Sequence, residues 1–362
     1  DQGDSIIDEI EELIIKPVDV DKVYDGTPLV AKNEAEMNKN LAKLLAAGYT
    51  YNIVVQGSRT DYGVSESTVL SFSLFDKNKV DVTNKLKIEF EHGKITITEE
   101  QIHVYLTEKK KVYDGTPLFY DAGDYYVRNL PDGYDFEFDI TNPAISITNV
   151  GKLDVSILQK YITVFDSFGN DVTKSFYIKF IGDGLTVEKR ELPVHLDVKR
   201  KTYDGTPLTY DEGEYFVENL LDGFTFIFDI TNPAISVTNV GKLDLRILPK
   251  YIRIIDLSGN DVTENFAIKF MGDGLTVEKR EIVVRTNSAE MEYCEKILES
   301  QIAWIGVGKL ADGHRFIAED WAWIFEKGEA DNSCTVRILD SGENDVTSNY
   351  EITYKFGKLK IT

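Results

Sequence analysis

Four histidines, two cysteines and three tryptophans are the side chains of this 362-residue sequence best suited to ligate, attack or stack. His92, His103, His195 and His314 are scattered, and none sits in a His-Glu-x-x-His, Cys-x-x-Cys or Gly-x-Ser-x-Gly setting that would build a metal, redox or acyl-transfer centre. No Walker loop or dinucleotide fingerprint occurs, and the 62 acidic residues are too dispersed to single out a hydrolase pair. No catalytic residue, metal ligand or cofactor is therefore assigned, and an enzyme is not expected.

The tryptophans carry a stronger signal. Trp304, Trp321 and Trp323 all fall in the last quarter of the chain. Counted back from Gly328, Trp321 and Trp323 occupy the places held earlier by Ala144/Ser146 and Ala234/Ser236, while Ala322 and Ile324 match apolar Ile145/Ile147 and Ile235/Val237. A strand pleat then turns both rings away from the core, where they could stack on sugar rings or on a protein partner. The competing reading packs them beneath a loop or against the preceding repeat.

Two recurrent motifs could also be mistaken for sites. Tyr24-Asp25-Gly26-Thr27-Pro28 returns at Tyr113 and Tyr203, and its residue types describe a turn: glycine for positive φ, Asp to bond back to the chain, Pro to stiffen the exit, Tyr to anchor the core. The Asp-rich turns beginning at Asp166, Asp256 and Asp340 could gather Ca²⁺, but they lack EF-hand spacing and read equally well as solvated hairpin turns.

These motifs recur because the chain does. The Tyr-Asp-Gly-Thr-Pro copies lie 89 and 90 residues apart, and decay at Tyr293-Cys294-Glu295-Lys296; Asp-Val-Thr occurs at Asp81, Asp171, Asp261 and Asp345. Within each unit apolar residues alternate, as in Phe176/Ile178/Phe180, the pattern of a half-buried strand. About six short strands per unit are expected, with a glycine hairpin such as Gly182-Asp183-Gly184 before the last. Helical spacing marks Ile6, Ile10, Leu13 and Ile14, and again residues 34–47. A further helix is expected over residues 296–305. The domains read as an acidic helical segment 1–15 and β-repeats 16–98, 99–190, 191–280 and a divergent 281–362.

Composition sets the outer limits. At 42% hydrophobic and 28% charged the chain has material for real cores, and a formal charge of −22 disfavours nucleic acid and anionic lipid surfaces. No apolar run reaches a bilayer-spanning length, and residues 1–12 lack signal-peptide regions. A soluble piece, cut from something longer, is expected.

A strand ending in Tyr-Asp-Gly-Thr-Pro, a middle segment such as Gly57-Ser58-Arg59-Thr60-Asp61-Tyr62-Gly63, Asp-Val-Thr, and a closing Gly93-Lys94-Ile95-Thr96-Ile97-Thr98 together resemble the MBG or YDG-type repeat of bacterial surface proteins and adhesins. The resemblance covers residues 16–362 and is weakest in the fourth unit. It implies a mostly β fold, four tandem small β-domains of Ig-like sandwich or β-grasp-like character arranged as an elongated rod. It also implies an extracellular, cell-surface location and a non-enzymatic stalk role. The alternative is a glycan- or protein-binding module with recognition by Trp321, Trp323 and Trp304. Host glycan or protein is the implied partner of a monomeric chain, with no nucleic acid and no membrane insertion in this segment. In such an exported chain Cys294 and Cys334 would form a disulfide, closing a loop worth roughly 4 kcal/mol, with buried reduced thiols as the rival. One register also suggests Asp114–Lys160 and Asp204–Lys250 isopeptide pairs.

Overall fold

Alternating apolar residues do become half-buried strands, but the sheets they form are assembled from distant segments. The computed structural model describes residues 5–362. In the second repeat, strand Glu100–Leu106 is central, paired antiparallel with Tyr125–Arg128 and parallel with Phe176–Ile181. A second sheet orders Lys109–Val112, Leu185–Glu188 and Gly151–Lys152, and Asp135–Phe138 pairs with Ile162–Phe165. The third repeat repeats this plan around Arg190–Leu196, and the fourth around Arg280–Thr286. The chain is mostly β, a tandem set of small β-domains.

By contacts, residues 1–111 and 117–187 form one compact unit, and residues 112–116 and 188–362 another. In the first, Leu41, Leu44, Ile53 and Leu74 fill the core of repeat one, while Ile102, Val104, Leu158 and Val164 centre that of repeat two. In the second, Val284, Ile338 and Tyr350 centre the fourth repeat.

Several expectations are corrected. The third repeat has ten strands, not six, because two-residue ladders such as Leu208–Thr209 with Ser236–Val237 supplement the main sheets. Gly182-Asp183-Gly184 closes no hairpin: Phe176–Ile181 and Leu185–Glu188 lie in different sheets, so the glycines let the chain change layers. At the start, helix covers only Ser5–Asp8, and residues 1–4 of the expected segment lie outside the described residues. Leu13–Ile15 is instead a strand parallel to Ile88–Phe90, burying Leu13 and Ile15.

The second helix runs Lys39–Ala46, not 34–47. Asn38 stops it from extending backwards, its Oδ1 accepting from the N–H groups of Asn40 at 3.1 Å and Leu41 at 3.0 Å. Ala35 is bridged to Pro17 as extended chain. Residues 296–305 give no helix; Leu298–Glu299 and Ala303–Val307 are strands, the latter completing the sheet around Arg280–Thr286. A waiting strand edge outweighed weak helical spacing.

Asp-Val-Thr proves to be a turn staple. In repeat three Asp261 Oδ1 accepts from Thr263 N–H at 3.1 Å and from Thr263 Oγ1 at 2.6 Å, and Thr263 Oγ1 accepts from Ile254 N–H at 2.8 Å. The other three copies repeat the relay onto Leu74, Val164 and Ile338. The motif fastens the 3₁₀ turn that launches each late strand to the strand before it.

Candidate functional site

The Tyr-Asp-Gly-Thr-Pro turn is built as its residue types require. Gly205 has φ +80°, and Asp204 Oδ1 accepts from Thr206 N–H at 2.9 Å, Thr206 Oγ1 at 2.7 Å and Lys201 Nζ at 2.7 Å. The Lys201 ammonium first, then Thr206, holds the Asp204 carboxyl down at about 2 against burial acting the other way. Asp25 is likewise held at about 2 by Lys22 and Thr27. Asp204 is thus spoken for by Lys201, three residues upstream, and the suggested Asp204–Lys250 pair is replaced by this local ion pair.

The tyrosine of the motif does something the sequence did not reveal. It anchors not its own repeat but the next. Tyr24 is buried, its ring 5.5 Å from Phe176 and 6.2 Å from Tyr134 in repeat two. Tyr203 stands 5.6 Å from Tyr350 and 5.8 Å from His314 of repeat four. Within the second unit Tyr113 meets Phe266 at 5.4 Å and Phe224 at 6.4 Å. The three phenols bond Ser175, Asn265 and Asn349, each four residues after the Asp of Asp-Val-Thr, and burial raises all three phenol pKa values. The signal was present in the register of the two motifs, but only contacts reveal that one fits into the other.

Where Tyr203 enters repeat four a polar cleft of roughly 880 Å³ opens, lined by Asp204, Arg280, Lys309, His314, Asp340 and Asn344 among others. Arg280, Asp340 and His314 are engaged within the fold. Arg280 Nε donates to the Tyr203 carbonyl at 2.7 Å, and Asp340 Oδ1 accepts from Gly342 N–H at 2.8 Å and Asn344 N–H at 2.9 Å. His314 Nδ1 lies 2.7 Å from the Tyr350 hydroxyl, which accepts from Ala311 N–H at 3.0 Å. The Asp-rich turns at Asp166 and Asp256 point their oxygens at their own N–H groups in the same way. Among the described residues no cluster of three or more His, Cys, Asp or Glu is arranged to hold a metal ion.

The tryptophans separate. Trp323 pairs with Glu299, matching Ser236 opposite Thr209, and is 59% exposed. Trp321 does not share its face: it packs on the repeat-four core and donates from Nε1 to the Ala318 carbonyl at 3.2 Å. The reason is backbone, since Trp321 precedes the two-residue strand Trp323–Ile324 and Asp320 takes φ +53°, so the pleat does not reach it. Phe325, two residues on, is exposed beside Trp323, and the Tyr293 ring meets it edge-on at 6.5 Å with Lys327 Nζ 5.9 Å above Tyr293. Trp304 stands apart, exposed on the sheet around Arg280–Thr286, opposite Arg285.

The disulfide is also corrected. Cys294 and Cys334 are both free, Cys294 exposed in the decayed turn and Cys334 buried with Val336 and Ile338. Cys334 is packed into the repeat-four core, and burial pushes its thiol pKa up.

No family model matches this chain, and no curated protein matches it either. Among solved structures, Drosophila N-cadherin EC1-4 aligns over 97% of this chain and 100% of its own at 9% identity and TM-score 0.16. The first eight Ig domains of Down syndrome cell adhesion molecule isoform 1.30.30 align over 96% of this chain and 56% of theirs, at 9% identity and TM-score 0.18. The protocadherin GammaB4 extracellular domain covers 97% and 66%, at 10% and 0.15. Scores this low do not establish a shared topology, so the fold rests on the strand pairing above. No helix among the described residues is long and apolar enough to cross a membrane.

Proposed function

We propose that this chain is a non-enzymatic spacer from a bacterial surface adhesin, its β-repeats serving to hold a recognition element away from the cell. The observation that supports this reading is the tyrosine plug. Tyr24 and Tyr203 each carry a buried ring from one repeat into an aromatic cage of the next, and single residues, Glu99 and Lys279, separate the last strand of one repeat from the first of its successor. A short junction with a buried anchor resists bending. The test is small-angle scattering of the wild type and of Tyr24→Ala/Tyr203→Ala. Loosened joints should broaden the distribution of end-to-end distances; superimposable profiles would remove the stiffening role.

A second reading is favoured by a strip of exposed rings, Trp323 and Phe325, which stand where repeat three has Ser236 and Thr238, with Tyr293 edge-on to Phe325. On it repeat four grips a glycan or protein and the other repeats present it. Loss of glycan-array binding in Trp323→Ala, with Trp321 left in place as a core residue, is the expected outcome; retained binding excludes that strip.

A further inference from the structure

The outer face of the three-stranded sheet of repeat two differs in charge from the corresponding face of repeats three and four. Its residues form a grid set by strand register. Arg128, His103 and Lys179 stand abreast across Tyr125–Arg128, Glu100–Leu106 and Phe176–Ile181. Beside them Tyr126, Tyr105 and Ile181 form a second row, and Gln101 with Tyr177 a third. None of these eight is a carboxylate, in a chain with 62 of them.

The cations of the face are also unmatched. Among the described residues neither Arg128 nor Lys179 makes an ion pair. The Arg128 guanidinium rests 5.4 Å from the Tyr105 ring and 5.5 Å from the Tyr126 ring, which stack on each other at 4.7 Å. Tyr126 and Tyr177 are about half exposed, at 50% and 51%.

The corresponding face carries carboxylates in the later repeats. In repeat three Glu218 replaces Arg128 and Glu191 replaces Gln101; Glu191 pairs with Lys269, and Glu218 lies 3.3 Å from His195 Nε2. In repeat four Glu281 and Glu351 stand at the places of Gln101 and Tyr177, and Glu351 pairs with Lys279. Repeat two therefore lacks the acids that balance this face in its neighbours.

We infer that this face binds a carboxylated pyranose, such as a sialic or uronic acid residue of a glycan. Charge complementarity selects an anion: Arg128 offers a fork for a carboxylate, and Lys179 is a second cation across the central strand, two strand spacings or about 10 Å away. The three tyrosines select a sugar over an acidic peptide. A pyranose has an apolar face to lay on a ring and a hydroxyl rim for phenols and the Gln101 amide. Glu100–Leu106 is paired on both sides, so the centre of the face offers an extended peptide no free backbone to pair with. The site is separate from the Trp323 strip and stands whether or not that strip binds anything.

The experiment is biolayer interferometry of the full 362-residue chain on immobilised 3′-sialyllactose and hyaluronan hexasaccharide, with lactose and poly-glutamate as controls. Binding to a carboxylated sugar but not to lactose is expected, weakening as salt is raised. Arg128→Glu, which installs the repeat-three residue on an exposed site, should weaken it by about 10-fold or more, and Lys179→Ala should weaken it too. Trp323→Ala should leave it unchanged. The proposal is overturned if neither acidic sugar binds, if poly-glutamate binds equally well, or if Arg128→Glu and Lys179→Ala keep full affinity with an unshifted Tm. Loss in Trp323→Ala alone would move the site to repeat four, and a dimer by ultracentrifugation that Arg128→Glu dissociates would make this face a self-contact.

Discussion

Single side chains here owe their state to what the fold places beside them. Cys334 is sealed in a β core while Cys294 lies in an open turn. In native protein one thiol equivalent, that of Cys294, should react with a thiol reagent and the second only after denaturation, and adding reductant should leave Tm unchanged. A reductant-sensitive Tm would restore the disulfide. Asp204 and Asp25 make the complementary case for pH. Their folded carboxyls sit at about 2, below the ordinary 3.8. The stability they add is therefore complete above about pH 5 and is lost as pH falls through about 2. Both are well exposed, so each is worth under about 1 kcal/mol. The stability gap between wild type and Asp25→Asn/Asp204→Asn, measured by urea titration, should hold steady from about pH 7 to 5, shrink below about pH 4 and close only as pH falls through about 2. A gap that widens on acidification would contradict the ion-pair account.

Among elements, the Asp-Val-Thr staple matters most, because one hydroxyl joins a turn to the strand before it. Thr263 Oγ1 accepts the Ile254 N–H and donates to Asp261 Oδ1. Thr263→Val keeps the shape and removes both bonds, leaving the part-buried Ile254 N–H unpaired, at an expected cost of about 1–3 kcal/mol. Chemical denaturation checks this, and a change under half a kcal/mol would mean that water replaces the hydroxyl. The helix Lys39–Ala46 shows a different device. In repeat one the sheet of Leu13–Ile15 and Ile88–Phe90 has no third strand, and the helix buries Leu41 and Leu44 completely. Leu44→Ala should cost about 2–5 kcal/mol.

For the whole molecule the question is whether repeats unfold together. Repeats three and four belong to one compact unit, joined by the Tyr203 plug and by Asn349, whose Oδ1 accepts the Val240 N–H at 2.7 Å and whose Nδ2 donates to Asn239 at 3.1 Å. Nearest-neighbour coupling of this kind makes linked repeats melt cooperatively. Calorimetry of Tyr203→Ala should resolve a transition of repeat four below that of repeat three, where the wild type shows them merged. Unchanged cooperativity would assign the coupling to the backbone junction alone.

The strand character of the repeats, their 90-residue spacing and the turn nature of both motifs were legible from residue types, because pleat alternation, positive-φ glycines and Asx bonding are local. The outward ring of Trp323 was legible for the same reason. What remained hidden was non-local. Nothing near Tyr203 says that its cage is Tyr350 and His314, some 110 to 150 residues away. Nothing near Cys334 says which way it faces, and the acid-free face of repeat two exists only once three distant strands lie abreast. Pairing between sheets is decided by which apolar surfaces bury one another, and that choice belongs to tertiary structure.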